Sequence, residues 1–301
     1  MAMNYLIHLL IYFDIYVIVA LSLNLVVGYC GMLTLVHAGF YAIGGYAYAL
    51  LTLVLGWGFL PALFTAFMLA ATLSLAVSLP AWRLKGDFFV LATLAVQALI
   101  FSLLYNWSDP NASLGTWNNL TNGPFGISGI PKPKILGFAV TDSPSFFLLA
   151  TALAVLCAFI VWRLTSSPWG RVLVAMREDE LAARNLGKNT RLLKVQALAI
   201  ASGLVSVAGT LYAAYVGYLD PSSASLEESI LMLSMVIVGG VGNFRGPVIG
   251  AIVLIAVPEL LRFLDFPDAL AANLRLAIYG LLLVLMMHFR PQGISGKYRL
   301  S

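Results

Sequence analysis

Nine apolar stretches, most of them about as long as a bilayer is thick, constrain what this chain can fold into. A helix crossing the ~30 Å hydrocarbon layer needs about 20 mainly apolar residues. By that measure the candidate spans are Tyr5–Val27, Leu33–Leu55, Phe59–Leu79, Phe88–Tyr105, Ser145–Leu164, Val195–Tyr215, Ser229–Val241, Val248–Leu264 and Asn273–Phe289. Seven are long enough, Ser229–Val241 is too short to cross alone, and Val248–Leu264 is marginal. Lipid offers the backbone no hydrogen bonds, so only helices or closed barrels cross it, and unbroken apolar runs are helical rather than alternating. Charged residues make up only 10% of the chain, too few to cover a soluble domain of this length. The expected fold is an all-α, polytopic membrane bundle of about eight or nine spans. It forms a single domain over residues 1–301, with broken or short helices near 229–264. The N-terminus lacks the basic region of a secretory leader, and Asp14 interrupts its apolar run, so a retained first span is expected.

Lysine and arginine placement orients the bundle. Arg83 and Lys85, the 166–194 segment, Arg245, and Arg290, Lys297 and Arg299 fall in alternate loops. The intervening loops carry Asp220, Glu227 and Glu228, then Asp265 and Asp268. In the long 106–144 loop, Lys132 and Lys134 are balanced by Asp109 and Asp142. This alternation puts the N-terminus outside, the C-terminus in the cytoplasm and residues 106–144 on the extracytoplasmic side. Basic loop residues therefore need no nucleic-acid partner. Cys30 and Cys157 stand apart in apolar surroundings, with neither disulfide nor metal-ligand spacing, and read as buried hydrophobes.

Two stretches depart from lipid-filling sequence: Val26–Tyr46 and Ile237–Ala251. They share a Val-Gly-x-x-Gly core, Val27–Gly31 and Val238–Gly242, followed by Gly39 and Gly44 in one and Gly246 and Gly250 in the other. Glycine in a membrane helix allows close backbone packing. It also accompanies interrupted helices whose freed backbone groups line a pathway. Both readings are open. The second makes Gly28, Gly31, Gly39, Gly239, Gly240, Gly242 and Gly246, with the intramembrane His37, the candidate translocation residues. The plainer reading of His37, a hydrogen bond to a neighbouring helix, is favoured. Asp14 has no evident partner in the sequence. Glu259 and Arg262, one turn apart, are expected to pair. Gln97, Gln196 and Asn24 are expected to hydrogen-bond between helices.

One segment in the C-terminal two-thirds is densely charged: SSPWGRVLVAMREDELAARNLGKNTRLLK, Ser166–Lys194. Its periodicity predicts a helix over Arg171–Leu186, begun by the Ser-Pro-Trp-Gly turn and capped by Gly187. Val172, Ala175, Met176, Leu181 and Leu186 fall near one stripe of that helix, and the charges lie largely elsewhere. A helix resting on anionic headgroups is the simple alternative. The acidic triplet Glu178-Asp179-Glu180 argues against it, because anionic lipid repels those charges.

The run Glu180-Leu181-Ala182-Ala183-x-x-x-Gly187, with its Arg177-Glu178-Asp179-Glu180 lead-in, resembles the loop by which ABC permeases dock on their ATPases. It departs from the E-A-A-x-x-x-G core in having Leu181 directly before the alanines. GGVGNFRGPVIGA (Gly239–Ala251) and SLNLVVGYCGMLTLVHAGFYAIGGYAYA (Ser22–Ala49) resemble the same family, the permease subunits of branched-chain amino acid ABC transporters. The resemblance implies import of leucine, isoleucine and valine across a bacterial inner membrane. Related permeases serve urea, amides and other small solutes. It also implies a second permease subunit, two ATPase subunits that bind Mg-ATP, and an extracytoplasmic binding protein. Arg177, Glu178, Asp179, Glu180, Ala182, Ala183 and Gly187 are then the coupling residues. No G-x-x-x-x-G-K-[ST] phosphate loop occurs in the chain, so no cofactor and no motor chemistry are expected on it. A secondary transporter or channel needs an ion-coupling constellation, yet Asp14, His37 and Glu259 are widely separated. A membrane enzyme using His37 lacks a second catalytic partner at suitable spacing.

Overall fold

A computed structural model describes residues 2–78, 84, 86–135, 138–262, 268–290 and 292–296. Arg83, Lys85, Asp265, Lys297 and Arg299, which helped set the expected orientation, lie outside the described residues.

Most of the described residues are helical. Helix α1 spans Ala2–Asn24 and continues as a wider π-helical turn, Leu25–Tyr29. After a non-helical stretch come α2 (His37–Leu53), α3 (Phe59–Ser78) and α4 (Asp87–Asn106). Helix α5 runs over Ser143–Thr165, α6 over Pro168–Glu178, α7 over Glu180–Asn185 and α8 over Thr190–Val216. Helices α9 (Leu226–Gly239), α10 (Arg245–Arg262) and α11 (Asp268–Phe289) complete the order.

Among the described residues, five segments are long and apolar enough to cross a bilayer unaided: Met3–Tyr29, Phe59–Ser78, Asp87–Asn106, Ser143–Thr165 and Thr190–Val216. These correspond to the expected first, third, fourth, fifth and sixth spans. The expected second span, Leu33–Leu55, is helical only from His37.

Burial separates centre from periphery. The apolar window of α8 is 83% buried, whereas that of α4 is only 17% buried, so α8 is the axis of the bundle and α4 an outer helix. Exposed Phe64, Phe88, Leu91, Leu99, Leu148 and Phe159 on α3, α4 and α5 form the apolar exterior that a bilayer covers. Small residues set the spacing at the axis. A Cβ on Gly44 would lie 2.4 Å from the Ser206 carbonyl oxygen, and one on Gly209 only 1.9 Å from that of Tyr41. The α2 and α8 backbones therefore touch, as small residues allow in membrane helices.

The described residues of the 106–144 loop are held by side-chain bonds and short strands. Trp107 and Trp117 meet edge to face, and the Trp107 indole N–H donates to the Trp117 carbonyl. A short β-strand, β1 (Ile127–Ser128), pairs antiparallel with β4 (Tyr218–Leu219) after α8. Strands β2 (Lys134–Ile135) and β3 (Phe138–Ala139) pair with each other. The Tyr48 hydroxyl donates to the Pro131 carbonyl, tying the loop to α2.

Candidate functional site

The charged segment folds as two helices where one was expected. Helix α6 starts at Pro168, with Ser167 as N-cap and proline in its first turn, so the Ser-Pro-Trp-Gly turn is already helical. Asp179 adopts an extended backbone and breaks the helix. Its carboxylate accepts the Leu181 and Ala182 N–H groups at 2.9 Å, starting α7 at the next residue. A good N-cap inside a helical pattern is thus the reason the single Arg171–Leu186 helix does not form. Gly187 has φ +76° and donates to the Arg184 carbonyl, and Lys188 N–H reaches Ala183, closing α7 as expected.

The break also redistributes the faces. Gly170, Leu173, Met176 and Ala183 are buried. Leu181 and Leu186, expected on the buried stripe, are 62% and 79% exposed instead. They share the outer surface with Ala182, Glu178 and Arg184. Glu180 faces the other way, 3.2 Å from Arg184 and 3.0 Å from Lys194 at the start of α8. The Trp169 indole donates to the Gln196 side chain, so α6 is tied to α8 as well.

Arg177 points into the protein. Its side chain is only 8% exposed, and a guanidinium N–H donates to the Gly28 carbonyl at 2.6 Å, while Nη2 pairs with Glu178. Gly28 lies in the π-turn that ends the first span, so the cation meets the negative end of a helix. Gly31 makes room for it: a Cβ there would sit 2.6 Å from Arg177 Cγ.

The second glycine stretch arrives at the same place. The Asn24 side chain donates to the Asn243 carbonyl and accepts the Gly242 N–H, both at 3.0 Å. A Cβ on Gly28 would lie 2.0 Å from Asn24 Oδ1 and 2.6 Å from the Gly242 nitrogen. Helix α9 stops at Gly239, and Gly240 takes φ +118°, which L side chains rarely adopt. The carbonyls left open there are filled by the chain after α11. Ile294 and Ser295 N–H groups donate to Val238 and Gly239, and the Asn243 amide donates to Ser295. The glycines thus serve close packing and mark interrupted helices, and the carbonyls opened at Gly239 are taken up by the chain itself. The helices are interrupted, and α9 also packs backbone to backbone on α10, where a Cβ on Gly239 would be 1.9 Å from the Gly246 oxygen.

The remaining polar residues divide by role. His37 Nε2 is 2.9 Å from the Ser22 hydroxyl, which itself donates to the Val19 carbonyl. The imidazole thus joins α2 to α1, the plainer expectation. Gln97 accepts the Gly39 N–H at 2.9 Å and donates to the Ala224 carbonyl. Gly39 lacks a side chain where one would strike Gln97 Oε1 and Ile100. Asp14 does find a partner, the Thr151 hydroxyl at 2.6 Å. Glu259 accepts the Tyr5 hydroxyl, and its expected partner Arg262 has a side chain outside the described residues. Cys30 and Cys157 are buried, unpaired thiols.

One cluster escaped the sequence reading. His8, Tyr12 and Tyr16 recur every four residues along α1; His8 and Tyr12 meet Tyr215 of α8, Tyr12 also meets Tyr212, and Tyr212 in turn meets Tyr41 of α2. That i, i+4, i+8 spacing was the available signal.

Comparison with known proteins places this geometry. A family model described as branched-chain amino acid transport system / permease component matches residues 5–287. The high-affinity branched-chain amino acid transport system permease protein LivM of Escherichia coli K12 is 37% identical over 93% of this chain and 67% of its own length. The probable LivM of Methanocaldococcus jannaschii is 28% identical, over 95% of this chain and 92% of that protein. The autoinducer 2 import system permease protein LsrC of Salmonella paratyphi B is 24% identical over 59% of this chain and 49% of its own length. No solved structure matches. With the match running from the first helix to the last, through both glycine stretches and the charged segment, the chain belongs to the family of branched-chain amino acid transport system permease components.

Proposed function

We propose that this chain is the membrane-spanning permease subunit of an ABC importer that carries leucine, isoleucine and valine inward, driven by ATP hydrolysis on partner subunits. The likeness to LivM over 93% of the chain carries the reading. A permease of the same family for urea or amides is the second reading. The chain sits in a bacterial inner membrane with its N-terminus outside and its C-terminus cytoplasmic. Helices α1, α3, α4, α5 and α8 cross outright, and α2, α9, α10 and α11 bring the total to eight or nine spans. Residues 1–301 act as one permease domain, with 106–144 extracytoplasmic and 166–194 as the coupling segment. The partners are two ATPases carrying Mg-ATP, a second permease of different sequence, and an extracytoplasmic binding protein.

In this mechanism the ATPase receives the outer face of α6 and α7. Leu181 and Leu186 enter its groove, and Glu178, Ala182 and Arg184 surround them. Asp179 and Gly187 fix the two ends of α7, and Ala183 lets it sit closely on the bundle. Movement of the segment passes to the spans through two ties: Arg177 to the Gly28 carbonyl on α1, and Glu180 to Lys194 on α8. The first tie ends at the junction of both glycine stretches, so Gly28, Gly31, Gly239, Gly240, Gly242 and Gly246 are where it can open or close the pathway. His37 and Gly39 lie at the start of α2, beyond that junction. Uptake of labelled leucine into proteoliposomes holding the assembled transporter tests this: uptake requires ATP and the ATPases. Uptake by the permease alone contradicts it.

A further inference from the structure

The chain after α11 turns back onto the glycine junction. Residues 292–296 run along the end of α9, where the Ile294 and Ser295 N–H groups donate to the Val238 and Gly239 carbonyls, both at 2.9 Å. Carbonyls in the last turn of a helix have no partner within it, so the strap completes α9. The fit is backbone on backbone. A Cβ on Gly293 would lie 2.4 Å from Gly240 Cα, and one on Gly240 only 2.2 Å from the Gly296 nitrogen. Gly293 and Gly240 also take φ +76° and +118°, so neither the strap nor its seat accepts a side chain there.

Hydrogen bonds rather than apolar burial hold the strap. Its one large apolar side chain, Ile294, is 43% exposed, and Gln292 is exposed as well. A segment fixed by a few hydrogen bonds, with no buried apolar anchor, opens locally at low cost. Asn243 ties the strap to the rest of the junction. Its amide donates to the Ser295 carbonyl at 2.7 Å, its Oδ1 accepts the Arg245 N–H, and its own carbonyl accepts the Asn24 amide. Asn24 in turn packs on Gly28, whose carbonyl receives Arg177. The strap is thus the far end of a bonded series that starts in the charged segment.

With the strap seated, the end of α9 is held on two sides, by α1 through Asn24 and by residues 292–296. It can move against α1 only after one side lets go, and the strap is the side without an apolar anchor. We propose that residues 292–296 are a latch, which keeps the 240–243 turn against α1 while seated and lifts from it in each transport cycle. The proposal rests on the transport reading above and adds to it the element that sets when the junction opens.

The test uses the complete transporter in proteoliposomes, with leucine uptake and ATP hydrolysis measured in parallel. Asn243→Cys combined with Ser295→Cys places two thiols where side chains already meet, Nδ2 lying 3.2 Å from Oγ. Bridging them with a short, reducible bifunctional thiol reagent should lower uptake about tenfold or more, and reduction should restore it. Each single-cysteine variant, treated alike, should keep its untreated rate. Asn243→Asp preserves the shape and the acceptor for the Arg245 N–H, but sets a carboxylate oxygen against the Ser295 carbonyl. It should loosen the latch and raise ATP hydrolysis in the absence of the binding protein about fivefold. Unchanged uptake by the bridged variant overturns the proposal, as does basal hydrolysis by Asn243→Asp at the wild-type level. A loss that reduction fails to restore also counts against it. A wild-type complex that hydrolyses ATP yet takes up none of the three amino acids refutes the transport reading instead, and the hydrolysis rate of Asn243→Asp still decides the latch.

Discussion

Arg177 shows how a residue's meaning depends on what faces it. In the sequence it is one of several charges ahead of an alanine pair, and it was grouped with the residues expected to face a partner. In the fold it is turned inward onto the Gly28 carbonyl, with Gly31 cleared for its stem. Arg177→Ala is expected to leave the transporter assembled but uncouple it, so that ATPase activity persists while uptake falls about tenfold or more. Parallel measurement of phosphate release and leucine uptake checks this; equal loss of both argues against a transmitting role. Asn24 was legible as a residue that bonds between helices. Its partners, Gly242 and Asn243, lie more than two hundred positions away, and no local pattern names a contact at that distance. The same holds for Asp14 and Thr151.

Element existence was readable because hydrophobic length is a strong physical signal, and the five unaided spans fall where apolar runs predicted them. Element interruption was harder to read, since glycine suits both close packing and a broken helix. Here it serves both. The break at Asp179 was in principle readable as an N-cap, but the apolar periodicity on either side favoured continuity. Asp179→Ala should cost about 1 kcal/mol by removing two capping hydrogen bonds, with Asp179→Asn retaining most of it. Thermal unfolding of the detergent-solubilised transporter measures the difference. Gly250→Leu should be far worse. Even a Cβ there would lie 1.8 Å from the Met235 carbonyl, so α9 and α10 must separate. Loss of about 3 kcal/mol or more is expected. It would be seen as loss of the monodisperse folded peak on size exclusion; an unchanged peak and melting midpoint contradict the packing.

At the scale of the whole molecule, the contacts sort the loops into two groups. The π-turn, the charged segment, the 240–243 turn and residues 292–296 meet at one junction. The 106–144 loop gathers instead with the ends of α2 and α8. Cysteines introduced for Leu186 and Phe125 should therefore label from opposite faces of the membrane, Leu186 from the cytoplasm. The native cysteines are buried and should contribute little background. The account stands or falls on whether the motor docks on the exposed leucines of α7. Replacing Leu181 and Leu186 together with aspartate leaves the buried face untouched, so the permease should still insert and fold. The double variant should then retain little ATPase on purification and lose ATP-driven leucine uptake. Full ATPase recovery with wild-type uptake in that variant would contradict the account.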